Sequence, residues 1–401
     1  MSYSNAGELV FQNCSVISVN FVSSSSASGG FIAAARNGVA TKFYSCIVRG
    51  SNIYGSKVAG FVSCTSGSAE FVNSSVISCN ITSTSDCSGG FMGLGFISSI
   101  SFSYCNLINT NIYGTLAAGF SSCGANSTIF DHCNVLSSNI TASSSNAGGF
   151  ISNPMPLQLS FSYCSVQCSI ISGSISGGFA VYSSDAFFQN SSVTDSNITS
   201  AAYVGGLIAM GTTGSSINFT SCTLQNSFVN GSGAGGFVGC SACQISFCNS
   251  SVRSSSIIAS GNAAGGFVGV CHSYTSFSNC IVNTTCVSAQ QTAGGLIGCA
   301  SMNFYVSNCF NFGFPDPAKA ITQTFSNLGY SGGLFGESFA PQALVSESGV
   351  FSGVVMGHYA GGIGGYAQYF QAKQIFVRPQ VFVSGSNFAG GLPFFFKLNI
   401  F

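Results

Sequence analysis

Charge is what this chain has least of. Asp, Glu, Lys and Arg make up 4% of its 401 residues, nine bases against nine acids, where soluble domains usually carry about 25%. No Lys or Arg occurs between Lys57 and Arg253. A nucleic-acid partner needs a basic stripe to neutralise phosphates, so that class is disfavoured. Intrinsic disorder needs high charge and low apolarity, and is disfavoured because 46% of the residues are hydrophobic. No stretch reaches the roughly 20 unbroken apolar residues of a membrane helix, and the apolar run from Leu392 to Phe401 is too short to span. The segment Met1 to Leu9 lacks the basic and apolar parts of a secretory signal. Phe11 already opens a full repeat, which leaves little room for the polar cap a solenoid end requires. Two readings remain, a cytosolic chain or a piece of a longer secreted protein, and the second is the expectation, extracellular or on the cell surface.

The signature of helical repeats is missing too: there are no 3.6-period apolar runs rich in Ala, Leu, Glu and Lys. What recurs instead is a Gly-Gly pair. Its second glycine falls at Gly30, Gly60, Gly90, Gly119, Gly149, Gly178, Gly206, Gly236, Gly266, Gly295, Gly333, Gly362 and Gly391, nearly always 28 to 30 residues apart, although the first member of the pair is Ala at Ala59 and Ala118. A large apolar residue always follows, as in Phe31, Phe61, Phe91, Leu207 and Ile363. A fixed period of this length marks a solenoid, whose units bury their apolar faces only by stacking.

A second phrase, Phe-x-x-Cys/Ser-x-Val/Leu, alternates with the first. It starts at Phe11, Phe43, Phe71, Phe102, Phe130, Phe161, Phe188, Phe219, Phe247 and Phe277. Five residues after its aliphatic member comes another, as Val48 is followed by Ile53 and Val76 by Ile81. An offset of five has odd parity, so a strand of period two cannot bury both, and a bend must lie between them. Asn20, Asn52, Asn80, Asn111, Asn139 and Asn197 precede that second column, and Asn tolerates the left-handed backbone of a bend. Gly-Gly marks another corner, through positive φ or through close packing of neighbouring coils. Each unit is read as two or three short strands cornered at Asn and Gly-Gly.

The predicted fold is all-β: a right-handed parallel β-helix (β-solenoid) of about 13 coils, roughly 29 residues each, with like residues stacked at about 4.8 Å. Residues 1–309 are assigned to regular repeats. Residues 310–331, which contain Pro315-Asp316-Pro317, are assigned to a loop insertion, because Pro cannot donate to a ladder. Residues 332–401 are assigned to degenerate coils of the same solenoid.

Gly235-Gly236-Phe237-Val238-Gly239, the same phrase at 265–269, and Gly-Gly-Leu-Ile-Gly at 294–298 resemble the GLUG motif. That Gly-rich repeat occurs in bacterial surface adhesins and in some secreted peptidases. The resemblance implies a β-solenoid with a stalk or adhesive role and no catalytic residues in the repeats. The peptidase zinc motif is missing here, so that activity is not carried over.

The chemistry-bearing residues are weighed next. Of the 19 cysteines, many share a column with Ser, as Cys46, Ser74, Cys105 and Cys133 do, which reads as a small-residue core slot holding free thiols. A zinc site at Cys240, Cys243, Cys248 and His272 is disfavoured, because Cys240 belongs to a repeat column with Cys64, Cys123 and Cys299. The acids do not stack in one column, so no paired-carboxylate catalytic site is assigned. Asp131-His132 beside abundant Ser suggests a hydrolase, but His132 lies in the polar corner column Asn73, Tyr104, His132, Tyr163, Asn190. Tyr104, His132 and Tyr163 are assigned as a ligand-contact strip suited to sugar. Eleven Asn-x-Ser/Thr sequons follow largely from the repeat text.

The sequence thus predicts a non-enzymatic, structural or adhesive repeat module of a surface or secreted protein, with no cofactor and no metal. Its expected partners are glycans or surface proteins, with end-to-end self-association through open strand edges as a further expectation. A carbohydrate-active β-helix enzyme is the alternative.

Overall fold

The computed structural model describes residues 7–23, 27–35, 38–95, 99–153, 158–183, 185–312, 321–323, 329–391, 394–395 and 398–400. The chain is all-β, 66% strand with no helix among the described residues, and its parallel sheets stack as a β-solenoid of about 12 turns spaced by about 29 residues. Two compact units are formed, 1–187 with 191–198, and 188–190 with 199–401.

In the first unit a coil holds five short strands, more than the two or three expected. One coil runs Ala40–Tyr44, Ile47–Arg49, Asn52–Gly55, Lys57–Ala59 and Val62–Thr65. Each strand pairs in parallel with its equivalent one coil on, which places Phe11, Phe43, Phe71, Phe102, Phe130 and Phe161 in one register. The rings stack at 4.8 Å between Phe71 and Phe102 and 5.0 Å between Phe102 and Phe130. The phenylalanines after Gly-Gly make a second pile, Phe91 on Phe120 at 4.7 Å. The piles meet edge to face, Phe102 against Phe120 at 5.2 Å and 83°. Burying each ring stabilises by roughly 1.5–3 kcal/mol, and each ring pair adds about 0.5–1.5 kcal/mol. Val48, Val76, Leu107 and Val135 form one aliphatic ladder, and Ile53, Ile81, Ile112 and Ile140 another.

The bends differ from the reading at Asn20, Asn52, Asn80, Asn111, Asn139 and Asn197. The left-handed residues lie just before the Cys/Ser column (Ser45, Asn73, Tyr104, His132, Tyr163) and again five residues later (Gly50, Ser78, Asn109, Ser137, Cys168). A left-handed residue ends a strand after a few residues, which is why a coil holds five. The Asn column instead starts strands and hydrogen-bonds to itself: Asn52 Nδ2 donates to Asn20 Oδ1 at 2.8 Å, Asn80 to Asn52 at 2.9 Å, and Asn111 to Asn80 at 3.0 Å. Parallel in-register stacking puts identical amides one rung apart, where each can donate to the last.

Of the two explanations for Gly-Gly, close packing is the one observed. These glycines lack positive φ, but a Cβ on Gly60, Gly90 or Gly119 would collide with the carbonyl oxygen of Gly90, Gly119 or Gly149, one coil on.

From Cys46 onward the Cys/Ser column is buried, and it also caps the corner. Cys46 N–H donates to Ser74 Oγ at 3.1 Å, and Cys164 N–H to Ser191 Oγ at 3.2 Å. The small group itself donates to the carbonyl two residues back: Ser74 Oγ to Val72 at 3.0 Å, Cys133 Sγ to Asp131 at 3.3 Å. A second capping column carries Ser51, Cys79, Thr110, Ser138 and Ser169; Thr110 N–H donates to Ser138 Oγ at 3.2 Å. Hydroxyl and thiol are interchangeable because each is a short donor–acceptor that fits the corner.

The second unit repeats this plan. Phe219, Phe247 and Phe277 stack in register at 4.9 Å, and Val306, Val345 and Ala372 extend the column. The weaker repeats keep the ladder, with Gly294, Gly332, Gly361 and Gly390 aligned. Within the predicted 310–331 insertion, Phe310–Phe312 and Tyr330–Gly332 are ladder strands. Pro315, Asp316 and Pro317 lie outside the described residues. Among the described residues no helix is long and apolar enough to cross a membrane.

Candidate ligand-contact site

Tyr104, His132 and Tyr163 are brought together. Each is the left-handed residue of its corner, with φ of 54°, 50° and 52°, a conformation uncommon for any residue but glycine. It turns the side chain outward, and register does the rest: consecutive coils are one strand spacing apart, close to the stacking distance of aromatic rings. Tyr104 and His132 have centroids 4.8 Å apart at 18°, and His132 and Tyr163 4.8 Å apart at 15°. Tyr104 and Tyr163 are about half exposed.

Polar ladders flank the strip on both sides. On one, Ser103, Asp131 and Ser162 are in register, and Asp131 Oδ1 lies 3.0 Å from His132 Nδ1. On the other, Asn134 Nδ2 donates to Asn106 Oδ1 at 3.0 Å and Ser165 Oγ to Asn134 Oδ1 at 2.7 Å. His132 Nδ1 is buried beside the Asp131 carboxylate without a hydrogen-bond partner, so a ligand would meet Nε2. Because Tyr104 and Tyr163 cover its two faces, His132 offers an edge. The arrangement suits hydrogen bonding along a line.

The other candidates are dispersed. Among the described residues, no three or more His, Cys, Asp or Glu side chains are placed to hold a metal. Near the weighed zinc positions, Cys243 Sγ lies 3.2 Å from Ser241 Oγ, and His272 Nδ1 lies 2.8 Å from Ser301 Oγ. Burial pushes the Cys240 thiol up to about 11, and the Cys133 thiol, enclosed beside Cys105 and Cys164, is also held neutral. Several acids are engaged: Glu8 with Lys42 at 2.6 Å, Asp86 with Lys57 at 3.6 Å, and Glu70 accepting from Tyr44 Oη at 3.0 Å.

Glu337 was not singled out by sequence reasoning. Burial pushes its carboxyl up to about 7. It sits in register between Cys299 and Tyr366. The signal was present: Glu337 stands four residues past the second glycine of its pair, where other coils carry Cys64, Cys240 and Cys299. No family model, curated protein or solved structure matches this chain.

Proposed function

We propose that this chain is a non-catalytic repeat module of a surface or secreted protein, with a structural and adhesive role and with glycans or surface proteins as partners. The observation that carries the reading is the Tyr104–His132–Tyr163 strip between its two polar ladders. Side chains at one strand spacing present the same hydrogen-bonding groups again and again, which fits a linear partner with repeating polar groups. A neutral surface binds such a partner without charge attraction, through many weak hydrogen bonds. The resemblance of the Gly-Gly-Phe-Val-Gly phrases to GLUG repeats supports the same role.

The test is a glycan array and a cell-surface binding assay on the intact chain, with Tyr104→Ala and Tyr163→Ala made together. Loss of binding with unchanged thermal unfolding supports the strip as the contact. Binding that survives the double substitution removes it.

One observation favours a carbohydrate-active enzyme as the second reading: Glu337 has the near-neutral carboxyl a general acid needs. Hydrolysis by the usual route takes a second carboxyl nearby, and the register neighbours of Glu337 are Cys299 and Tyr366. Release of reducing sugar from polysaccharides that is abolished by Glu337→Gln would favour this reading.

A further inference from the structure

In the second unit, two outward columns face each other across the Gly-Gly corner. One carries Tyr330, Tyr359 and Phe388 in register, the rings piled at 5.0 Å and 5.5 Å. The other carries Glu337 and Tyr366. The Tyr366 ring leans against Tyr330 at 5.2 Å and 45°, and Phe339 closes on Tyr366 at 5.8 Å. All of these side chains remain at least partly open to solvent.

Glu337 is a half-buried carboxylate without an ion pair: Glu8 pairs with Lys42 and Asp86 with Lys57, whereas among the described residues no Lys, Arg or His forms an ion pair with Glu337. The groups that face it are Cys299, Tyr330 and Tyr366. Burial, then the Glu337 charge, holds the Tyr330 and Tyr366 hydroxyls above their usual range, so none of these neighbours supplies a positive charge. A chain this poor in bases has little with which to neutralise it. The electron-rich rings of Tyr330 and Tyr366 beside one carboxylate are complementary to a weakly hydrated cation, which gains from ring quadrupoles and carboxylate at once.

We propose that Glu337, Tyr330 and Tyr366 form a binding site for an organic ammonium group. The positive charge comes from outside the chain, either as the side chain of a lysine on a partner or as a small methylated amine. This site is separate from the Tyr104–His132–Tyr163 strip and stands whether or not that strip binds glycan.

The experiment is ligand-observed saturation-transfer NMR on the intact chain, with choline as the methylated amine and butylammonium as the lysine mimic. The control is 3,3-dimethyl-1-butanol, choline's neutral isostere. Choline or butylammonium is expected to bind at least about tenfold more tightly than the isostere, and Glu337→Gln to remove most of that difference. Affinity should rise from about pH 6 to about pH 8 as the carboxyl loses its proton. Which amine binds better identifies the source. Equal binding of the neutral isostere, no transfer to either amine, or a Glu337→Gln protein that binds as the parent does would each overturn the proposal. The comparison of ligands on the unaltered protein holds even if a variant fails to fold.

Discussion

The backbone N–H of Cys46 donates to the Oγ of Ser74, one coil further on, at 3.1 Å. That single bond explains why Cys and Ser alternate down one column. The corner leaves an amide with no ladder partner, and any short side chain with a lone pair can satisfy it.

Replacing Ser74 by Ala removes the acceptor in a fully buried setting. The expected cost is about 1–3 kcal/mol, against less than about 1 kcal/mol for Ser74→Cys. Chemical unfolding of the two variants measures the difference. Equal stability of Ala and Cys at this position would mean that packing alone maintains the column.

Gly119 leaves no room for a methyl group, because its Cβ would meet the Gly149 carbonyl oxygen and the Leu107 side chain. Gly119→Ala is expected to destabilise by on the order of 2–4 kcal/mol, since backbone must shift in two coils. At Gly38 the space is open and only the positive φ of 73° opposes a side chain. Gly38→Ala should cost only about 1 kcal/mol. A pair of thermal melts ranks them.

Glu337 should make stability depend on pH. Its carboxyl titrates near 7 in the folded state and lower when unfolded. Folding therefore favours the protonated form. The benefit is largest at acid pH and fades as pH rises from about 4.5 through 7. The change should be on the order of 1–2 kcal/mol, less than the full shift implies because the group is partly exposed. Melting temperatures of the parent and Glu337→Gln across this range should diverge, the variant gaining relative stability toward high pH. Parallel curves would show that the carboxyl is not desolvated.

Thiol reactivity should follow exposure. Cys168 is exposed, while Cys105, Cys133 and Cys164 are buried, and alkylation requires an accessible thiolate. Mass spectrometry after brief alkylation of the native protein should find Cys168 labelled and the other three protected until denaturant is added.

The repeat carried its own solution in Phe71, Phe102 and Phe130. A column of one residue type at a fixed spacing can be buried in every unit only if the units stack, so parallel in-register coils follow from the text alone. The Tyr104–His132–Tyr163 strip was legible by the same logic. Bend positions were not, because left-handed backbone is accepted there by Ser, Asn, Tyr, His and Cys alike, and no residue type marks it. The Asn column drew attention as a turn signal, yet its amides satisfy one another along the strand edge.

Residue order determined which side chains lie above one another, since periodicity is a one-dimensional property and stacking preserves it. Contacts across a coil, between positions far apart in the repeat, were decided only by the fold. The angle at Gly-Gly sets Tyr366 against Tyr330 and leaves Glu337 between rings without a counter-charge. No spacing in the text encodes that angle, which arises where glycine backbones pack too closely for a side chain.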